Sequence, residues 1–151
     1  MTCALTGHRD LPEDFQLNLL YDTLEELIRE GYDTFLCGMA RGFDLLALDC
    51  LIALKQKYRI TLEACIPYRG HENSFFGEEK RRYLNLLERC DKRHYIYNGY
   101  ANGCFLARDR MMVDRADLLF AYCMRATGGT AYTVRYAKKK GVEIRNLFRE
   151  A

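Results

Sequence analysis

Apolar runs of strand length alternate with stretches of helical period from one end of the chain to the other. Cys3-Ala4-Leu5-Thr6 is the first such run and ends at Gly7-His8-Arg9. Pro12, followed by Glu13 and Asp14, predicts a helix start, and the stripe Leu20, Leu24, Leu27 and Ile28 carries that helix to Gly31. Thr34-Phe35-Leu36-Cys37 predicts the second strand. Leu45, Leu48, Leu51, Ile52 and Leu54 then mark a helix with almost no polar face, which implies burial on more than one side. Ile60 to Ile66 predicts strand three, closed by Pro67-Tyr68-Arg69-Gly70-His71. Helical period returns between Glu78 and Cys90, with Tyr83, Leu84 and Leu87 inward. His94 to Tyr97 predicts strand four, Ala101 to Arg115 a helix, and Leu118 to Tyr122 strand five. After Gly128-Gly129 a helical pattern runs through Val134 to Lys140 and is closed by Gly141, before strand six at Val142 to Leu147.

Strands alternating with helices of this length call for a parallel sheet with crossover helices. The expected fold is α/β: a single Rossmann-like doubly wound domain over residues 1-151, with a mainly parallel sheet of about six strands and helices on both faces. Ligands of such sheets bind outside the carboxyl ends of the strands, where the strand order reverses. The loops at those ends are Gly7-His8-Arg9, Gly38 to Asp44, Pro67 to His71, Asn98 to Gly103 and Arg125 to Thr133. Glycine recurs with arginine in them, whereas the turns on the opposite edge read as ordinary caps. A strand feeding a helix through Gly128-Gly129 leaves free N–H groups at the positive end of the helix dipole. Glycine lets an anion approach that backbone, and Thr127, Thr130 and Thr133 add hydroxyl donors. The plainer alternative is a strand–turn–helix with Thr130 as N-cap.

At 151 residues, 49% hydrophobic and 29% charged, the chain suits one globular domain. A net charge of +2 provides no overall field to recruit nucleic acid or a membrane. No apolar run reaches membrane length, and the first residues lack a signal-peptide core. Seven cysteines, none in a Cys-x-x-Cys pair, argue against a disulfide framework or a zinc site and fit a reducing cytoplasm. No cluster has metal-ligand spacing, so no metal is expected.

Individual residues carry two readings each. Arg41 meets a phosphate or ribose, or pairs with Asp44. Asp44 accepts a ribose hydroxyl, or caps its helix. His8 and Arg9 end strand one at the expected pocket floor, and the lack of an assignable partner for His8 favours hydrogen bonding over acid–base work. Tyr68 and Tyr132 stack on a base or close the core. Arg108 and Arg110 lie two apart on a helix, so they point in different directions.

Two loops resemble a known family. Cys37-Gly38-Met39-Ala40-Arg41-Gly42-Phe43-Asp44 is similar to the S-G-x-A-R-G-x-D motif of the DNA-processing protein A family. Gly128 to Ala137 is similar to its S-G-S-x-x-T-x-R-x-A. Thr6-Gly7-His8-Arg9, Pro67-Tyr68-x-Gly70, Arg82-Tyr83, the run from Arg108 to Asp117 and Gly128-Gly129-Thr130-Ala131-Tyr132-Thr133 resemble the stand-alone YpsA-type branch of the same SLOG superfamily. The resemblance covers nearly the whole chain. It implies a Rossmann-like fold and a pocket for a nucleotide or nucleotide-derived ligand of ADP-ribose type. The residues it assigns to that pocket are Gly7, His8, Arg9, Gly38, Met39, Ala40, Arg41, Gly42, Asp44, Pro67, Tyr68, Arg69, Arg108, Asp109, Gly128, Gly129, Thr130, Ala131, Tyr132 and Thr133. No other cofactor is implied. Lone SLOG domains commonly self-associate, so a homo-oligomer is expected, with the apolar second helix and the tyrosine-rich region of the fourth helix as candidate faces.

Lonely Guy enzymes, another branch, cleave nucleoside monophosphates and carry a P-G-G-x-G-T-x-x-E motif whose glutamate is central. In register, Arg135 stands at that glutamate and Ala131 at a glycine of the motif. A carboxylate able to stabilise an oxocarbenium-like centre is missing there, with Asp44, Asp109 and Asp114 as possible substitutes. Departures from the YpsA-type pattern at His71, at Phe75 or Phe76 and at Asp109 bear on which ligand fits. The expected function is therefore sensing or sequestering a nucleotide-derived ligand, with no catalytic residue assigned. The alternatives are N-glycosidic cleavage and single-stranded DNA binding, the latter disfavoured by near-neutral charge and the lack of a basic–aromatic strip.

Overall fold

A computed structural model describes residues 1–149. Its strands are β1 (Thr2–Gly7), β2 (Thr34–Cys37), β3 (Thr61–Tyr68), β4 (Lys92–Tyr97), β5 (Leu118–Tyr122) and β6 (Glu143–Asn146). Its α-helices are α1 (Leu17–Arg29), α2 (Phe43–Leu54), α3 (Gly77–Glu88), α4 (Cys104–Arg115) and α5 (Gly129–Lys140), with a short 3-10 turn at His71–Ser74. All neighbouring strands pair in parallel, in the order β4-β3-β2-β1-β5-β6. The chain steps outward from β1 to β4, then crosses back through α4 to lay β5 on the other side of β1. The order reverses between β1 and β5.

Period-2 alternation divides the strand side chains between two apolar layers. Cys3, Leu5, Phe35, Cys37, Leu62, Ala64, Leu118 and Phe120 pack with Leu20, Leu24 and Leu27 of α1, most of α2, and Tyr83, Leu86 and Leu87 of α3. Ala4, Leu36, Cys65 and Leu119 face the other way, onto Met112 and Val113 of α4 and Ala137 of α5. The result is the expected doubly wound α/β fold with helices on both faces. Among the described residues no helix is long and apolar enough to cross a membrane. The seven cysteines are free thiols.

Four local expectations need correction. α1 starts at Leu17 rather than Pro12, entered from Gln16 without a side-chain cap. The segment before it turns at Pro12, whose carbonyl accepts the Phe15 N–H at 3.0 Å, and Phe15 lies edge-on to Tyr122 at 5.0 Å. That tertiary contact overrides the local Pro-Glu-Asp signal. β3 continues through Pro67 and Tyr68, beyond the last pairing with β2 at Cys37↔Ala64, so the proline interrupts nothing on that side. On α3, Leu86 is buried and Leu84 is exposed, because Tyr83, Leu86 and Leu87 share one helical face. α2 buries Phe43, Leu45, Leu48, Leu51 and Leu54, as its lack of a polar face implies, and β4 begins at Lys92 rather than His94.

Candidate functional site

A cleft of about 430 Å³ opens where the strand order reverses, at the carboxyl ends of β1 and β5. β1 brings Thr6, Gly7, His8, Arg9 and Asp10 to it, the β2–α2 loop Ala40 and Asp44, α4 Phe105, Leu106, Arg108 and Asp109, and the start of α5 Arg125, Thr127, Gly128, Gly129 and Thr130.

The glycines around this cleft do different work. A Cβ on Gly7 would overlap the Phe43 ring, and one on Gly42 (φ 81) would strike the Arg9 carbonyl. Both exist so that α2 can dock on the end of β1, where the Phe43 N–H donates to the His8 carbonyl at 3.1 Å. A Cβ on Gly128 or Gly129 would meet nothing within 4 Å. These two are small for the sake of open space beside the backbone. Gly128 is the N-cap of α5, at φ 97 and with no side-chain cap, so the first-turn N–H groups of Gly129, Thr130 and Ala131 lack helical acceptors. Thr130 is thus inside the helix and not its cap. Arg135 braces the approach to this turn by donating to the Ala126 carbonyl at 2.9 Å.

His8 is a clamp. The Met124 N–H donates to its Nε2 at 2.8 Å, which fixes that nitrogen as an acceptor and leaves the ring proton on Nδ1. Burial, helped by the charge of Arg125, lowers its pKa, in keeping with a neutral ring. Asp44 accepts the Ala40 N–H at 3.2 Å and so holds the turn that contains Met39 (φ 63). Burial pushes the Asp44 carboxyl up to about 7, against the pull of Arg108. Arg108, itself buried, donates to Asp109 at 2.7 Å and to the Gly38 carbonyl. The other oxygen of Asp109 lies 3.0 Å from the Thr133 hydroxyl, which also sits 2.9 Å from the Gly129 carbonyl. Asp44 and Asp109 are therefore both engaged in holding loops.

The arginines separate into two kinds. Arg108 pairs with Asp109 and Arg41 with Asp10 at 3.3 Å rather than with Asp44. Arg9 and Arg125 are exposed at the cleft and form no ion pair among the described residues, and the Arg9 guanidinium lies 5.3 Å over the Phe105 ring.

Of the residues expected from sequence, Gly7, His8, Arg9, Ala40, Asp44, Arg108, Asp109, Gly128, Gly129 and Thr130 line the cleft. Gly38, Met39, Ala131 and Thr133 are outside that lining, and Gly42 lines the groove that Arg41 faces. Arg41 faces an adjoining groove with Arg82 and Glu79. Tyr132 turns to α4, where its hydroxyl accepts from Arg110 at 3.1 Å, so it is not a base-stacking wall of this cleft. Pro67, Tyr68 and Arg69 lie at the end of β3, with Tyr68 edge-on to Tyr100 at 5.5 Å and Arg69 over Tyr95 at 4.2 Å. Asp10, Phe105 and Leu106 join the lining from outside the expected loops and motifs, while Thr6, Arg125 and Thr127 stand within them but not among the residues assigned to the pocket. Phe105 had a signal: with Arg108 and Asp109 it makes an i, i+3, i+4 face. A second cleft, of about 440 Å³, lies by the start of α1, where it is walled largely by Phe15, Leu19, Leu147 and Phe148, includes the carboxylate of Asp14 and has no glycine in its lining. Among the described residues no group of three His, Cys, Asp or Glu side chains is placed to hold a metal.

The model of the YspA SLOG family (YpsA) matches residues 15–146. A UPF0398 protein of Staphylococcus epidermidis is 25% identical over 129 residues, 77% of this chain and 69% of that protein. A UPF0398 protein of Oceanobacillus iheyensis is 25% identical over 96 residues, 62% of this chain and 52% of its own length. Among solved structures, DNA processing protein A from Streptococcus pneumoniae superposes on 95% of this chain with a TM-score of 0.70 at 15% identity. The chain spans 48% of that protein. DNA processing protein A from Helicobacter pylori, whose structure concerns its single-stranded DNA binding mode, gives a TM-score of 0.67 at 17% identity over 95% of this chain and 63% of that one. At such identities the likeness is one of fold. Matched from residue 15 to residue 146 and folded on the same doubly wound sheet, the chain belongs to the YpsA (YspA SLOG) family.

Proposed function

We propose that this protein binds a nucleotide or nucleotide-derived ligand of ADP-ribose type, with a phosphate seated at the start of α5. The observation that carries this reading is an open glycine turn at a helix N-terminus that shares one cleft, at the strand-order reversal, with Arg9 and Arg125, two arginines that form no ion pair among the described residues. Backbone N–H groups there fit phosphate oxygens, and the glycines admit them at close range. The family membership supports the same ligand class.

Binding is favoured over hydrolysis. Arg135 occupies the place of the Lonely Guy glutamate and is committed to the Ala126 carbonyl. Asp44 and Asp109 are hydrogen-bonded into the loops, and Asp114 accepts from Tyr136 away from the cleft. Asp10, the remaining carboxylate of the lining, pairs with Arg41, and this engagement of the carboxylates around the cleft favours a sensor or a sequestering protein. Self-association would use the exposed Tyr97 and Tyr100 beside α4 rather than the buried α2.

Mass spectrometry of small molecules released on denaturing the purified protein, followed by thermal-shift assays with AMP, NAD and ADP-ribose, tests the reading. An intact nucleotide derivative that raises the melting temperature is expected. Free base with ribose phosphate would establish the hydrolase instead. A salt-sensitive shift of a labelled single-stranded oligonucleotide, with no response to nucleotides, would transfer the site to DNA.

A further inference from the structure

Beside the cleft lies a smaller hollow of about 190 Å³, whose walls include Arg9, Ala40, His71, Phe75, Glu79 and Phe105. Arg9, Ala40 and Phe105 also line the cleft, so the two spaces meet along these three residues.

His71 gives the hollow its chemistry. It begins the 3-10 turn after β3, and only 4% of it is exposed. Its Nδ1 lies 3.0 Å from the hydroxyl of Tyr83, a side chain with no exposure at all. A buried hydroxyl needs an acceptor for its proton, and Nδ1 is the acceptor at hand. Nδ1 therefore accepts from Tyr83, and the single ring proton of the neutral imidazole resides on Nε2. Burial, together with the charges of Arg108 and Arg9, lowers the His71 pKa to about 4, so the ring is neutral at pH 7. Nε2 has no hydrogen-bond partner among the described residues, yet none of their sealed side-chain nitrogens or oxygens is left unpaired. This N–H consequently opens onto the hollow.

The rest of the wall suits a planar heteroaromatic ring. Phe75 and Phe105 offer apolar surface, and Arg9 offers a guanidinium plane that stacks on such rings. Glu79, at the exposed rim, is a carboxylate acceptor.

We propose that this hollow holds the nucleobase of the ligand whose phosphate lies at the start of α5. His71 Nε2–H donates to a ring nitrogen or carbonyl oxygen of the base, and Glu79 accepts from its exocyclic amine. The inference rests on the nucleotide reading of the cleft and adds to it the part of the ligand that sets specificity: an amino-bearing base rather than a bare sugar phosphate.

Calorimetric titration of ADP-ribose and of inorganic pyrophosphate into the wild type, His71→Gln and Glu79→Gln tests it. Glu79→Gln, at the exposed rim, remains informative should His71→Gln disturb Tyr83. Both variants are expected to bind ADP-ribose about tenfold more weakly and pyrophosphate as the wild type does. In ¹⁵N spectra of the imidazoles, the Nε2–H tautomer of His71 is expected, with Nε2 shifting on addition of ADP-ribose and not of pyrophosphate. Unchanged ADP-ribose affinity in both variants would overturn the base site and leave the phosphate site standing. Failure of the wild type to bind either compound would overturn both.

Discussion

Asp44 and His71 are both buried and both feel the charge of Arg108, yet they drive stability in opposite directions with pH. Burial raises the Asp44 carboxyl from an ordinary 3.8 to about 7, so between those values the folded chain holds a proton that the unfolded chain releases. Stability from that group grows as pH falls through the window. Burial lowers His71 from 6.5 to about 4, so between those values the unfolded chain binds a proton that the folded chain refuses, and stability declines as pH falls. Asp44→Asn removes the first effect and keeps an acceptor for the Ala40 N–H. Urea unfolding of this variant is expected to show greater stability than the wild type at pH 8, and a loss of roughly 3 kcal/mol between pH 6.5 and 4 that the wild type largely masks. A variant curve parallel to that of the wild type would contradict the assignment. Gly129→Asp is the residue-scale test of the phosphate turn. A Cβ at this position meets nothing within 4 Å, so the unliganded melting temperature is expected to stay put while any shift caused by nucleotide disappears.

At the scale of elements, the docking of α2 onto β1 depends on Gly7 and Phe43 fitting together. Phe43 stands 5.8 Å from the Phe120 ring and 6.0 Å from the Tyr122 ring, and Gly7 lies beneath it. Gly7→Ala is expected to cost about 1–3 kcal/mol by overpacking, and Phe43→Ala about 3–5 kcal/mol through the cavity it leaves. Because the two residues share one space, the double variant should cost clearly less than the sum in denaturant unfolding. Much of this layering was legible in the sequence. β2 and β5 stand at the expected bounds because short apolar runs between glycines and polar turns leave little choice. α1 starts later than Pro12 predicts because Pro12-Glu13-Asp14 is a sound local signal overruled by Phe15 packing on Tyr122. The glycines were legible as site markers but not by kind. Nothing in the sequence separates Gly7 and Gly42, which make room for Phe43 and the Arg9 carbonyl, from Gly128 and Gly129, which leave room for a ligand. Phe105 and Leu106 are not legible from the loops at the strand ends, because the site draws one wall from the body of α4.

For the whole molecule, the decisive feature is the reversal of strand order between β1 and β5, which brings Arg9 and the α5 turn to one cleft. A net charge of +2 spread over 151 residues means that anion recognition is local to these groups. Arg125→Ala is accordingly expected to weaken nucleotide binding about tenfold, with little change in folding stability, since Arg125 has no ion pair among the described residues. The most direct measurement is isothermal titration of ADP-ribose into the wild type and into Gly129→Asp. Saturable one-site binding by the wild type that vanishes in Gly129→Asp is the expected result. Equal binding by both proteins, or none by a folded wild type to ADP-ribose, AMP or NAD, would contradict a phosphate site at the start of α5.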